Sequence, residues 1–313
     1  MRRSDLRIVF MGTPGFSSTV LKGLVDDGRN VVLCVSQPDK PVGRKHVLTS
    51  PPAKVQALES GIEVFQPDSL RTDESYEFIR NVAPDLIITA AYGKILPQRM
   101  LDIPEFGCIN VHASLLPKYR GAAPVQYSIM NGDDVTGVTI MKMDAGMDTG
   151  DMLRSIEVPI DIDDTTDSLM DKLGFAGRDL LLQSIDDYVE GRIEPVPQDE
   201  ALVTFTSPVK PEDAVIDWSL SARQIHDKIR ALTSWPGCST TFGGKRVKIY
   251  SSALEEECED GVPGILLPSK KGTLKVRCGK GAVYILELQF EGGKRLKASD
   301  CAHNYKPGQM FGE

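Results

Sequence analysis

Apolar residues in the first half of the chain fall in short runs, and between the runs they recur at helical spacing. Arg7-Ile8-Val9-Phe10-Met11 has the unbroken apolar character of a buried strand. Gly12-Thr13-Pro14-Gly15 then turns the chain, and Val20, Leu21, Leu24 and Val25 share one face of a helix. Val31–Val35 reads as the next strand. Ser50-Pro51-Pro52 has the form of a helix start, with a serine cap ahead of prolines that need no donor. Residues 62–65 form a third strand, Tyr76, Phe78, Ile79 and Val82 suit a helix, and residues 85–90 and 108–112 are the fourth and fifth strands. Val138–Met141 and Ile156–Val158 are later strands, and a long helix spans 166–189. Strands that alternate with helices imply an α/β fold: a Rossmann-like, mostly parallel sheet with helices on both faces, over residues 1–190.

The pattern changes after Gly191. Pro195, Pro197, Pro208 and Pro211 interrupt a stretch of little periodicity, so residues 191–211 read as a linker. Ile225, Ile229 and Leu232 mark one helix beyond it. Short strands follow at 238–242, 247–250, 264–267, 274–278 and 283–288, and Gly243-Gly244 and Gly292-Gly293 suit hairpin turns. Five short strands predict a small OB-like β-barrel over residues 212–313.

Composition narrows the picture. At 313 residues the chain can support two ordinary domains, and 41% hydrophobic with 26% charged residues is usual for a globular protein. No apolar run reaches the roughly 20 residues of a membrane span, and residues 6–11 are too short for a signal-peptide core. The reading is a cytoplasmic protein with no membrane partner. Six scattered cysteines form no C-x-x-C pair and no zinc spacing, which fits free thiols in a reducing compartment. The net charge of −8 argues against broad nucleic-acid affinity. It is unevenly spread, because residues 210–313 hold 16 Lys+Arg and 13 Asp+Glu, a net of +3, which leaves −11 elsewhere. A mildly basic C-terminal part can hold phosphates.

Ligands of an open α/β sheet bind beyond the carboxyl ends of its strands. Three polar segments fall there. Gly12-Thr13-Pro14-Gly15 lacks the G-x-G-x-x-G fingerprint and is equally a tight turn. Asn110 and His112 are two apart on a strand and so face the same way, where an amide and an imidazole can polarise a carbonyl; a satisfied core pair is the plain alternative. Met143 to Asp151 holds three aspartates and two glycines without calcium-loop spacing, and alone would be a solvated turn.

Taken together, these segments resemble the folate-dependent formyltransferases. The resemblance is carried by Asn110-Val111-His112, Ser114-Leu115-Leu116-Pro117 and Asp148-Thr149-Gly150. It extends to Phe10-Met11-Gly12-Thr13-Pro14, Ala91-Tyr92-Gly93-Lys94-Ile95-Leu96-Pro97 and Tyr119-Arg120-Gly121-Ala122-Ala123-Pro124. It implies formyl transfer from 10-formyltetrahydrofolate, as co-substrate, to an amine, with Asn110, His112 and Asp148 catalytic. Ser114, Leu115, Leu116 and Pro117, with Tyr92, Gly93 and Leu96, would line the folate site. No metal and no protein partner are implied. The loop Gln37–Lys45 and the C-terminal segments Ile216-Asp217-Trp218 and Trp235-Pro236-Gly237 look like those of family members that formylate methionine on initiator tRNA for translation initiation. The partner implied is initiator Met-tRNA, touched by Arg44 and Lys45, with residues 212–313 as a tRNA-binding domain and 1–190 as the catalytic one. The competing readings are a formyltransferase for an amino-sugar nucleotide and a 10-formyltetrahydrofolate hydrolase. A nicotinamide oxidoreductase lacks its glycine fingerprint here, and a non-catalytic RNA-binding module leaves Asn110, His112 and Asp148 without a role.

Overall fold

The computed structural model describes residues 5–42 and 47–313. They pack as two compact units, one of Met1–Pro124, Val135–Pro159 and Met170–Thr206, the other of Val125–Asp134, Ile160–Leu169 and Ser207–Glu313.

The first unit contains strands β1 (Ile8–Gly12), β2 (Val31–Val35), β3 (Lys40–Val42), β4 (Val47–Thr49), β5 (Val64–Phe65), β6 (Leu86–Ala90), β7 (Cys108–His112), β8 (Arg120–Gly121), β9 (Val135–Lys142), β10 (Met152–Pro159) and β11 (Phe205–Thr206). The helices, in chain order, are α1 (Gly15–Asp26), α2 (Pro52–Glu59), α3 (Asp73–Val82), α4 (Gln98–Leu101), α5 (Pro124–Met130), α6 (Thr166–Val189), α7 (Ala222–Leu232) and α8 (Ala298–Cys301). The main sheet runs β10-β9-β7-β6-β1-β2-β5. Its five strands from β7 to β5 are parallel, and β9 is antiparallel to both β7 and β10.

Every residue of β1 and β6 is buried, which is why these strands read as unbroken apolar runs rather than alternating ones. Val9, Met11, Leu33, Val35 and Ile87 form one core layer with Ile79 of α3 and with Tyr92, Leu96 and Met100. On the other side of β1 the Phe10 ring lies beside Ser17 of α1, and α6 comes down on Val111 and Val138 at Gly177. Both faces are therefore covered. Thr72 caps α3 by accepting from Ser75 N at 3.2 Å, and Ala83 ends it in the left-handed conformation.

Two local expectations change. Ser50 does not cap α2: Pro51 holds the N-cap position, and the Ser50 hydroxyl donates to Asp39 Oδ2 at 3.0 Å. Lys54 and Gln66 also donate to Asp39, and these contacts, Lys54 above all, hold its carboxyl below the usual carboxylate range. The described part of the loop Gln37–Lys45 is also not bare, because Lys40–Val42 form β3, which pairs antiparallel with β4.

Residues 191–211 have little periodicity but definite partners. Met152 and Val196 exchange backbone bonds at 2.8 and 2.9 Å, Glu200–Leu202 forms a 3-10 turn, and β11 pairs parallel with β8.

The second unit holds β12 (Cys238–Phe242), β13 (Lys245–Glu255), β14 (Leu266–Leu267), β15 (Leu274–Arg277), β16 (Ala282–Phe290) and β17 (Leu296–Lys297). They form an antiparallel sheet ordered β12-β13-β16-β15-β14, with β17 on β16, turning at Gly243-Gly244 and Gly292-Gly293. Bulges around Ser251 bend the long β13. The sheet curls until one segment spans both edges: Phe311 pairs with Phe242 of β12, and Met310 pairs with Ile265 beside β14. Phe311 is 1% exposed, its ring 4.8 Å from Phe242 and 5.9 Å from Trp218. This is the OB-like module expected from the short strands. Helix α7 is closed by a reciprocal Ser221–Gln224 capping box.

Candidate active site

Strand β7 carries Asn110 and His112 to the carboxyl end of the parallel strands. Their spacing on the pleat puts both side chains on one face. Thr89 of β6 is paired with Asn110, and its hydroxyl donates to Asn110 Oδ1 at 2.8 Å. The amide oxygen is thereby engaged, and the Nδ2 donors are turned away from Thr89.

His112 is buried, and its Nε2 lies 3.2 Å from the Tyr119 carbonyl oxygen. A carbonyl only accepts, so Nε2 carries a proton there. The other ring nitrogen, Nδ1, faces Asp148 Oδ1 at 3.7 Å. That is too long for a direct hydrogen bond, and it sets the carboxylate beside the ring nitrogen that is not bonded to Tyr119.

Asp148 sits in the loop between β9 and β10, which two side chains shape. Asp144 Oδ1 accepts from Gly146 N at 3.0 Å and from Thr149 Oγ1 at 2.6 Å, so Asp144 serves the turn. Asp148 has φ 56°, in the left-handed region that a residue with a Cβ enters only when its surroundings hold it there. Its Oδ2 accepts from Gly121 N at 2.8 Å, which leaves Oδ1 towards His112. Two glycines are fixed by close approach. A Cβ at Gly150 would lie 1.8 Å from the Lys142 carbonyl oxygen, and one at Gly121, where φ is 119°, would lie 2.3 Å from that of Thr206.

Ser114 to Pro117 follow His112 directly. Ser114 is fully buried and its hydroxyl donates to the Lys118 carbonyl at 2.7 Å, so it closes a turn. Thr139 ties the segment to β9, donating to Ser114 O at 2.8 Å and accepting from Leu116 N at 3.1 Å. The Leu116-Pro117 peptide is cis. Leu116 is buried, while Leu115 and Pro117 are half-buried.

In the segment after β6, Tyr92 and Leu96 belong to the core layer. The Tyr92 carbonyl accepts from Thr13 Oγ1 and Gln37 Nε2, both at 3.0 Å. Its ring hydroxyl is buried with no partner among the described residues, and burial pushes it up to about 12. Gly93 has φ 80° and is exposed. Arg44 and Lys45 lie outside the described residues.

Four residues escaped the sequence reading. Thr89 and Thr139 look like ordinary strand threonines. Arg120 is buried with its Nε donating to Gln198 Oε1 at 2.9 Å and its Nη2 to Glu200 at 2.8 Å. Gln198 in turn donates to the carbonyls of Asp148 and Gly150. Of these, only the buried arginine left a trace, as part of the Tyr119-Arg120-Gly121 resemblance.

Among the described residues no group of three or more His, Cys, Asp or Glu could hold a metal ion, and no helix is long and apolar enough to cross a membrane. An imidazole and an oriented amide at the end of parallel strand β7, with a carboxylate brought to them by the β9–β10 loop, form a candidate site on an α/β enzyme. The chain belongs to the formyl transferase family: the formyl transferase model matches residues 6–185, and the formyl transferase C-terminal domain model matches 208–306.

It is 46% identical over 312 residues to a methionyl-tRNA formyltransferase of Citrifermentans bemidjiense, covering 99% of this chain and 98% of the relative. It is 47% identical over 310 residues to that of Macrococcus caseolyticus, covering 98% and 99%. Among solved structures, HypX from Aquifex aeolicus in complex with tetrahydrofolic acid shares the fold with a TM-score of 0.67 at 19% identity, over 95% of this chain and 47% of that one. The N-formyltransferase from Helicobacter canadensis, in complex with folinic acid and dTDP-3-aminofucose, gives 0.66 at 18% identity, over 93% and 100%.

Proposed function

We propose that this chain transfers the formyl group of 10-formyltetrahydrofolate to the amino group of methionine on initiator Met-tRNA, for translation initiation. The observation that carries the reading is the near full-length likeness, at 46–47% identity, to methionyl-tRNA formyltransferases.

The site supports a direct transfer. The methionyl amine attacks the formyl carbon and a tetrahedral oxyanion forms. Asn110 donates from Nδ2, which the Thr89 bond turns away from β6. His112, as the imidazolium, keeps its Nε2 proton on the Tyr119 carbonyl and offers Nδ1–H to the oxyanion and then to the departing folate nitrogen. Asp148 Oδ1, 3.7 Å from His112 Nδ1, takes the proton that the attacking amine loses. The carbon–nitrogen bond to folate breaks as the new amide forms. The segments 114–117 and 91–97 flank this point and are proposed to receive the folate, through backbone groups at Gly93 and side chains at Leu115 and Pro117.

Residues 1–190 are the proposed catalytic part, 191–211 a connection, and 212–313 the part that meets tRNA; the two family matches, over 6–185 and 208–306, support this division. Arg44 and Lys45 are proposed to contact the acceptor end. The test is transfer of labelled formyl to Met-tRNA beside uncharged tRNA, an amino-sugar nucleotide and water alone. Transfer to the sugar, or formate release without an acceptor, would replace this reading with a sugar formyltransferase or a hydrolase. His112→Ala and Asp148→Asn should each cut single-turnover rates by orders of magnitude while folate binding persists; a parental rate for either removes it from the mechanism.

A further inference from the structure

We propose that Gln198 is a positioning residue for Asp148, an inference that rests on the catalytic reading of Asp148 above. Gln198 Nε2 donates to the carbonyl oxygens of Asp148 and Gly150, each at 2.8 Å, and its Oε1 accepts from Arg120 Nε at 2.9 Å. Both amide N–H groups and the amide oxygen are thus in use. The two carbonyls bracket Thr149, so one side chain fixes the peptide on each side of the loop that presents the carboxylate. That loop needs fixing, because Asp148 has φ 56°. A residue with a Cβ stays in that region only where its surroundings determine it.

The support behind Gln198 is itself built. The Arg120 side chain is 2% exposed, and its Nη2 reaches Glu200 Oε1 at 2.8 Å, on a side chain 75% exposed. A line of bonds thus leads from solvent through Glu200, Arg120 and Gln198 to the main chain of Asp148. The neighbour of Arg120 completes the grip, since Gly121 N donates to Asp148 Oδ2 at 2.8 Å. Backbone and carboxylate of Asp148 are held from the same two elements, β8 and the stretch before β11. β8 is in turn held by Thr204, which accepts from Tyr119 N and Arg120 N at 2.8 and 2.9 Å.

Few side chains can fill this place. It requires an acceptor towards a buried guanidinium and two donors towards two carbonyls at once. Glutamate supplies the acceptor and no donors, and lysine supplies donors and a second positive charge beside Arg120. Gln198→Glu is therefore the informative change: near-isosteric, still paired with Arg120, and unable to hold the loop.

Single-turnover formyl transfer is measured with saturating folate and Met-tRNA for the parent, Gln198→Glu, Asp148→Asn and the double variant. Displacing a reacting group by about an ångström costs up to about 100-fold in rate. We expect Gln198→Glu to fold, with a melting temperature lowered because two carbonyls lose their donor, and to lose about 10- to 100-fold in kcat with folate and Met-tRNA affinities near parental. In the Asp148→Asn background the same substitution should change the rate by less than about twofold, because the group it positions is already disabled. If Gln198→Glu does not fold, Gln198→Met enters the same cycle. A parental kcat for the folded variant, or an equal loss in both backgrounds, overturns the proposal. A parental rate for Asp148→Asn alone overturns instead the catalytic reading of Asp148, so the two failures are distinct.

Discussion

The Thr89 hydroxyl donates to Asn110 Oδ1 across 2.8 Å between adjacent strands and so decides which end of the amide faces outward. An amide is nearly symmetric in shape, and only its partners distinguish oxygen from nitrogen. Thr89→Val keeps the shape and removes the donor. It should lower kcat by about 10-fold or more, short of the roughly 10²- to 10³-fold loss expected for Asn110→Ala, which removes the oxyanion donor itself. Thr89→Ser should stay near parental. A Thr89→Val enzyme with unchanged kcat would show that the amide is oriented by other means.

Gly150 leaves no room for a side chain, with the Lys142 carbonyl oxygen 1.8 Å from where a Cβ would stand. Gly150→Ala must push apart the β9–β10 connection that carries Asp148. We expect a loss of about 1–3 kcal/mol in urea unfolding, typical of forced overpacking, together with reduced turnover. Equal stability of variant and parent would mean that the connection yields freely.

His226 should make the second unit acid-sensitive. Its Nδ1 lies 3.0 Å from Ser252 Oγ and its Nε2 3.0 Å from the Ile162 carbonyl. Burial, with a smaller contribution from Arg230, lowers its pKa against the opposing influence of the Ile162 carbonyl and of Asp227 and Asp163. The folded chain therefore keeps the ring neutral where the unfolded chain binds a proton, below about pH 6.5. Stability is full above that pH, falls as pH drops through it, and levels off below the folded pKa. Thermal melts from pH 7.5 to 5 should show this fall, and His226→Gln should flatten it; parallel curves for the two proteins would refute the assignment.

Burial also pushes the thiols of Cys34, Cys108, Cys238 and Cys278 up to about 12. Cys301 is buried too and is raised in the same direction. The thiolate is the reactive form, so these groups are slow nucleophiles in the native chain. Brief iodoacetamide labelling at pH 8 should modify Cys258 first, the one cysteine that is not buried. Peptide mass mapping reads this directly, and rapid labelling at any buried position would show local opening there. Above about pH 9 the unfolded thiols ionise while these stay protonated, so stability should decline with rising pH.

Regular periodicity made much of the scaffold legible. Strand β7 and helix α6 occupy the residues their patterns predict, because each buries a continuous face. Hairpin β3–β4 was hidden because it is short and its outward residues, such as Leu48 at 66% exposure, follow no alternation. Ser50 looked like a cap because the local motif says nothing about Asp39, whose competing acceptor lies eleven positions away. In the candidate site, Asn110, His112 and Asp148 were picked out by their motifs, and the structure brings His112 within 3.7 Å of Asp148. Gln198 was not, because it sits among prolines and its partners are separated from it by 78 and 50 residues in sequence. A side chain that acts by bonding distant main-chain carbonyls leaves no spacing to read.

The second unit is drawn from three separate stretches of chain, and bonds stitch the 160–169 stretch to the C-terminal one. His226 reaches the Ile162 carbonyl, Arg230 the carbonyls of Asp161 and Asp164, and the Thr166 hydroxyl donates to the Ala231 carbonyl. For inheritance this means that the module is not a contiguous stretch of gene. A recombinant that crosses over once, after Thr206, would join one parent's α7 to another parent's stretch 160–169, which runs into the first turn of α6. Buried donors on the newcomer would meet carbonyls shaped for a different sequence, so hybrids between distant relatives should be viable mainly when that stretch travels with the C-terminal half.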